Sequence, residues 1–202
     1  MYLRFKEDIY KDIYTFILTE YKNKDKIKSD TILIYPGLGN DILYFSKAAH
    51  ELNLKAILVS YDDIDSKITE EIYKNGHELV RTPKILGLES LIDMASDMKL
   101  EIEDGLLINP FKEKLGVSYF YKALKDILKD YLDYENVIIG LGYGYLTGVA
   151  KYLKSKNDDV VITGVKEYEY ESSIIDDDYF DNITDDINLI NDDTNDSLII
   201  VI

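Results

Sequence analysis

Two glycine-rich turns hold the residue types best suited to chemistry, Gly37-Leu38-Gly39-Asn40 and Gly140-Leu141-Gly142-Tyr143-Gly144. Each follows a β-branched run and opens a stretch of helical period. Glycine has no Cβ to keep a ligand away from the main chain, and the first N–H groups of a helix have no partner within it. Together these features make a seat for phosphate or carboxylate, favoured by the partial positive charge of the helix start. Two such turns about a hundred residues apart point to a small anionic ligand held by an α/β protein.

The elements that position these turns alternate. Residues 5–22 carry Phe5, Ile9, Ile13, Phe16, Ile17 and Tyr21 at helical spacing. Strands are expected at Thr31–Tyr35, Lys55–Ser60, Glu78–Thr82, Gly105–Asn109, Asn136–Gly140 and Val160–Val165. Helices are expected at Asp41–Leu52, over about 65–75, at Leu86–Met98, at Val117–Leu132 and over 145–154. The closing Ser197–Ile202 run is expected to add an edge strand. Strict β/α alternation implies parallel sheets with right-handed crossovers, and ligands in such sheets bind beyond the carboxyl ends of strands.

Composition narrows the function. Thirty-nine acidic against 23 basic residues give a net charge of −16, which argues against a nucleic-acid partner. No apolar run approaches the roughly 20 residues of a membrane span, and the N-terminus has no signal-peptide pattern, so cytoplasm is the expected location. The chain has no cysteine, hence no disulfide and no thiolate metal site. His50 and His77 sit in separate contexts, so no metal site is expected. Residues 171–196 hold Glu171, Asp176, Asp177, Asp178, Asp181, Asp185, Asp186, Asp192, Asp193 and Asp196 without a lysine or arginine. They lack the glycine and spaced ligands of a calcium loop and read as a solvated acidic segment.

The ordered series of segments resembles the fold-type II pyridoxal-phosphate enzymes, the group of cysteine synthase, threonine synthase and the serine/threonine dehydratases. Gly39-Asn40, opening a helix with Ala48 and Ala49, resembles that family's serine-glycine-asparagine loop. Ala56-Ile57-Leu58-Val59 through Lys67 to Gly76-His77-Glu78-Leu79-Val80 is similar to its strand, lysine-bearing helix and following turn. Asn109-Pro110-Phe111 falls where the family returns to its large domain. Val137 through Ala150, with Ile162-Thr163-Gly164-Val165, follows its phosphate loop, helix and next strand. Order and spacing agree over about residues 4–168.

The resemblance implies pyridoxal 5'-phosphate as cofactor. Gly39 and Asn40 would meet its ring side, Asn40 at the ring hydroxyl, and Gly140, Gly142, Gly144 and Thr147 would cradle its phosphate. Arg4-Phe5-Lys6-Glu7-Asp8 stands where the family has its cofactor-bearing lysine, with Phe5 and Lys6 matching outright. Lys6 is therefore the candidate catalytic residue, or else a solvated lysine at a helix start. Departures fall at the contacts. Leu38 replaces a hydroxyl residue, and Tyr143 and Tyr145 stand among glycine and threonine positions.

The expected fold is α/β with two unequal lobes and mainly parallel sheets, like a fold-type II enzyme shortened at both ends. The lobes are expected at residues 1–112 and 113–202, with the two turns facing one cleft. The favoured function is a degenerate relative of amino-acid lyases and synthases that keeps an anion-binding cleft and serves as a binding or interaction protein. An active lyase or synthase using Lys6 is the alternative. A nucleotide-binding Rossmann-like domain, resting on Gly37, Gly39 and Asp62 or Asp63, is a third. Partners would be a small anionic ligand or amino acid, and a homo-oligomer or partner chain.

Overall fold

The computed structural model describes residues 1–6, 9–123, 125–166, 172–173, 175–191 and 197–201. In chain order they form β1 (Tyr2–Arg4), α1 (Ile9–Asn23), β2 (Ile32–Pro36), α2 (Gly39–Glu51), β3 (Lys55–Tyr61), α3 (Ser66–Lys74), β4 (Glu78–Thr82), α4 (Gly87–Glu101) and β5 (Gly105–Leu107). There follow α5 (Lys114–Ala123), the short α6 (Lys125–Leu128), β6 (Asn136–Gly140), α7 (Thr147–Lys154), β7 (Val161–Val165), β8 (Asn182–Thr184), the short α8 (Asn188–Asn191) and β9 (Ser197–Val201). The chain divides into two compact units, one of Glu7–Pro110 and the other of Met1–Lys6 with Phe111–Ile202.

The unit of Glu7–Pro110 is built on a parallel sheet in the order β4-β3-β2-β5. Its strands are nearly continuous apolar runs, as a sheet covered on both faces requires, and Leu33, Ile34, Tyr35, Leu58 and Val59 are buried. The chain steps outward from β2 to β3 to β4 through α2 and α3, then returns through α4 to β5 on the other side of β2. Right-handed crossovers put α4 on the face opposite α2 and α3. The point where the strand order reverses lies between β2 and β5, and the Gly37–Asn40 turn leaves β2 there.

The other unit repeats this logic in a five-stranded sheet, β1-β9-β6-β7-β8, with every pairing parallel. From β6 the chain steps through α7 to β7 and on to β8, then returns by α8 to β9 on the other side of β6. The Gly140–Gly144 turn thus leaves β6 at this sheet's own reversal. Helices α5 and α7 lie in close contact, since a Cβ on Gly148 would stand 2.2 Å from the Val117 carbonyl oxygen.

The sequence expectation needs correcting at the chain ends. The first residues form β1, and the helix starts only at Ile9. Ser197–Val201 is an interior strand, flanked by β1 and β6, rather than an edge. Leu198, Ile199, Ile200 and Val201 are all buried, which suits a strand covered on both faces. Met1 fixes the register, donating from its N-terminus to the Ser197 carbonyl at 2.8 Å and accepting from Ile199 N–H at 2.8 Å. The long helix expected at Val117–Leu132 is described as α5 and α6 on either side of residue 124, which lies outside the described residues, and ends in a 3-10 turn at Lys129–Tyr131. The acidic segment contributes β8, while Glu171 and residues 192–196 lie outside the described residues.

Candidate functional site

The first turn is held from below. Gly37 N–H donates to the Val59 carbonyl at 3.0 Å, and the buried Ser60 hydroxyl donates to the Gly37 carbonyl at 2.9 Å, so β3 fixes the turn on both sides of its peptide. Gly37 must be glycine, because a Cβ there would lie 2.5 Å from the Tyr35 ring. Leu38 is extended and supplies no side-chain cap to α2. Gly39 adopts φ +50, a left-handed conformation that glycine takes without strain. Gly39 and Asn40 are exposed, within reach of a ligand.

Directly behind them is a buried cluster that the sequence reading missed. Asp41, in the first turn of α2, accepts from the Tyr14 hydroxyl and, at 2.6 Å, from the Tyr35 hydroxyl. Both tyrosines are wholly buried, and Phe45 stacks on Tyr35 at 4.0 Å between centroids. The carboxyl group stands in the first turn of the helix, so one of the chain's own acids occupies the place where the helix start favours an anion. An acid in a first helical turn is common enough to carry no signal in sequence. The tyrosines that single it out come from α1 and β2.

The second turn is more closed. Leu141 N–H donates to the Val165 carbonyl, Gly144 N–H to Leu141, Thr147 N–H to Gly144 and Gly148 N–H to Tyr145, so two donors of the turn and the first two of α7 serve the main chain. Gly142 and Gly144 have φ values of +49 and +103. Tyr143 and Tyr145 are buried. Phe111 meets the Tyr143 ring edge-on at 4.9 Å, and Gly116 leaves room for the ring of Tyr145. Ser172 donates to the Tyr143 carbonyl at 2.8 Å, fixing the turn from outside.

Thr147, the first residue of α7, is almost wholly buried, and among the described residues its hydroxyl has no hydrogen-bond partner. It lines a cavity of about 460 Å³ that two lysines, Lys114 and Lys151, share with three carboxylates, Asp176, Asp177 and Asp178. Lys151 stands 5.4 Å from the Tyr179 ring centroid, a cation–π distance. Of a phosphate cradle the Thr147 hydroxyl and the left-handed Gly142 and Gly144 are present, whereas the first N–H groups of α7 are already bonded to the chain itself. Lys6 follows β1 and is exposed, one residue beyond the buried Phe5, which packs on Phe120 at 5.9 Å. Its neighbours Glu7 and Asp8 lie outside the described residues. Lys6, Gly140, Gly142, Gly144 and Thr147 belong to one unit, and Gly39 and Asn40 to the other. Among the described residues no cluster of His, Asp or Glu is arranged to hold a metal ion, and no helix is long and apolar enough to cross a membrane.

Comparison with known proteins follows the same line. No protein-family model matches the chain. It is 25% identical over 147 residues to the O-acetylserine dependent cystathionine β-synthase of Bacillus subtilis, a match covering 71% of this chain and 48% of that enzyme. It is 28% identical over 145 residues to cysteine synthase B of Campylobacter jejuni, covering 70% of this chain and 48% of the enzyme. The chain thus spans about half the length of the curated relatives it matches. Among solved structures, a hydrogen sulfide-producing enzyme from Fusobacterium nucleatum superposes with a TM-score of 0.77 at 17% identity, over 95% of this chain and 84% of the other. The O-acetylserine dependent cystathionine β-synthase of Helicobacter pylori gives 0.77 at 16%, over 96% and 81%. The fold is that of the fold-type II pyridoxal-phosphate enzymes. Within that class the chain is related to the cysteine synthases and cystathionine β-synthases.

Proposed function

We propose that this chain is a degenerate relative of the amino-acid lyases and synthases, a binding protein for a small anion or amino acid whose catalytic contacts have been lost. One asymmetry carries the reading. The sheets and their reversal points survive, while the departures from the family fall on contact positions. Leu38 has no hydroxyl to offer a substrate carboxylate. Asp41 buries a carboxyl group in the first turn of α2, with its oxygens taken by the Tyr14 and Tyr35 hydroxyls rather than left to a ligand. Tyr143 and Tyr145 fill the second turn with rings where a close backbone approach needs glycine.

Gly142, Gly144 and Thr147 would hold the phosphate of pyridoxal phosphate, Gly39 and Asn40 its ring side, and Lys6 would be the lysine that carries it. When bound, the cofactor supplies an electron sink for a carbanion at an amino acid's α-carbon. A lysine in that role must be unprotonated to attack and enclosed afterwards, whereas Lys6 is exposed.

The test is to mix the purified chain with pyridoxal phosphate, record the absorption spectrum, reduce with borohydride and map the labelled peptide by mass. Weak binding with no stoichiometric lysine label is expected. Efficient labelling of Lys6, abolished in Lys6→Ala, would restore the active-enzyme reading, and labelling at another lysine would remove Lys6 from the site.

A further inference from the structure

A second cavity, of about 310 Å³, lies at the end of the β4-β3-β2-β5 sheet opposite the Gly37–Asn40 turn. It forms where α1 and α2 end and the neighbouring strands β2 and β3 begin. Three lysines from three separate segments converge on it: Lys22 in the last turn of α1, Lys28 in the loop before β2, and Lys55 at the first position of β3. Ser29, Thr31 and Asn53 add polar groups, and no carboxylate is among the lining residues.

This arrangement runs against the charge of the whole chain. The chain has 39 acidic residues for 23 basic ones, so a cluster of lysines without a carboxylate stands out by its company. Neighbouring lysines have partners. Lys24 pairs with Glu20 at 3.5 Å, Lys11 with Glu51 at 2.6 Å, and Lys26 lies 4.8 Å from the Tyr21 ring centroid. Among the described residues, Lys22, Lys28 and Lys55 have no ion pair. All three are exposed, and the cavity they line offers them no carboxylate. A lysine near a helix C-terminus complements the helix dipole, which accounts for Lys22. Lys28 and Lys55 are outside helices and have no such reason to be there.

Thr31 adds a directional group. It is 8% exposed, and its hydroxyl oxygen accepts from Lys28 N–H at 2.9 Å, so its own proton is available to a ligand oxygen. Ammonium groups are compact point charges suited to phosphate oxygens, with rotatable donors that adapt to several of them. We infer that this cavity is an anion site distinct from both glycine turns, and that it takes a compact polyphosphate. Three positive charges match pyrophosphate better than a single carboxylate.

The experiment titrates sodium pyrophosphate into the full chain by calorimetry, with sodium chloride at equal ionic strength as the blank. Three proteins are compared: the natural sequence, Lys28→Gln with Lys55→Gln, and a charge-matched control, Lys67→Gln with Lys99→Gln, altered at exposed positions away from the cavity. Both double variants are changed only at exposed positions, and circular dichroism checks their folding. One-to-one binding is expected in the natural chain and the control. It should be weakened at least about tenfold in the Lys28/Lys55 pair, the scale of one charge-assisted contact. Equal heats in both double variants would mean general charge screening and overturn the site. Absence of binding in the natural chain would also overturn it, as would sedimentation showing that pyrophosphate acts only by dissolving an oligomer.

Discussion

His77 shows how one side chain couples packing to protonation. It is buried just before β4, and its Nε2 lies 3.0 Å from the Ser46 carbonyl of α2, an acceptor only, so Nε2 carries the proton. Its Nδ1 is buried and has no hydrogen-bond partner among the described residues. Burial therefore holds the imidazole below its ordinary pKa, partly opposed by the Ser46 contact and reinforced by His50. The sign follows. The unfolded chain binds the proton more readily than the folded one, so stability does not depend on this group above about pH 6.5 and falls as pH drops below it. Urea midpoints between about pH 7 and 5.5 should fall in the natural chain and fall less in His77→Gln, where carboxylates titrating lower do not yet dominate. Parallel declines in the two proteins would show that His77 contributes nothing to the acid response.

At the scale of elements, the fold is held by close approaches that only particular residues permit. Helices α5 and α7 meet at Gly148, where an added methyl would stand 2.2 Å from Val117 O and 2.9 Å from Tyr121 N, both main-chain atoms that cannot swing aside. Gly148→Ala should therefore cost about 1–3 kcal/mol of stability, the usual penalty for overpacking a filled interior. A lowered denaturation midpoint with an unchanged slope would record it. An unchanged midpoint would mean that the two helices separate freely. The positions and types of most of these elements were legible in the chain. Runs such as Thr31–Tyr35 and Asn136–Gly140, bounded by glycine, announce buried strands through local pattern alone. β1 escaped notice because three residues carry no period and because its partner, β9, lies almost the whole chain away. β9 was seen as a strand but misplaced at the edge, since neighbour order depends on which strands meet in space.

For the whole molecule, a net charge of −16 is a term that acts on every part of the fold at once. Like charges brought together on folding repel, and salt screens them over a Debye length of about 10 Å at 0.1 M. The thermal midpoint should accordingly rise as sodium chloride goes from about 10 to 200 mM, the range over which that length contracts most usefully. A flat or falling midpoint would mean that local ion pairs, which salt weakens, outweigh the global repulsion.

The amino-acid sequence by itself determined the α/β class, the parallel alternation, the two glycine turns and the kinship with cysteine synthase-like enzymes, because hydrophobic period, glycine placement and segment order are written locally. Tertiary structure alone decided that each turn leaves its strand at the reversal of its sheet. It also joined Asp41 to Tyr14 and Tyr35 behind the first turn, buried Tyr143 and Tyr145 in the second, and gathered Lys22, Lys28 and Lys55 at one cavity. Those groups come from segments whose meeting depends on strand order and helix packing, and side-chain neighbourhoods set by long-range register leave no trace in local pattern.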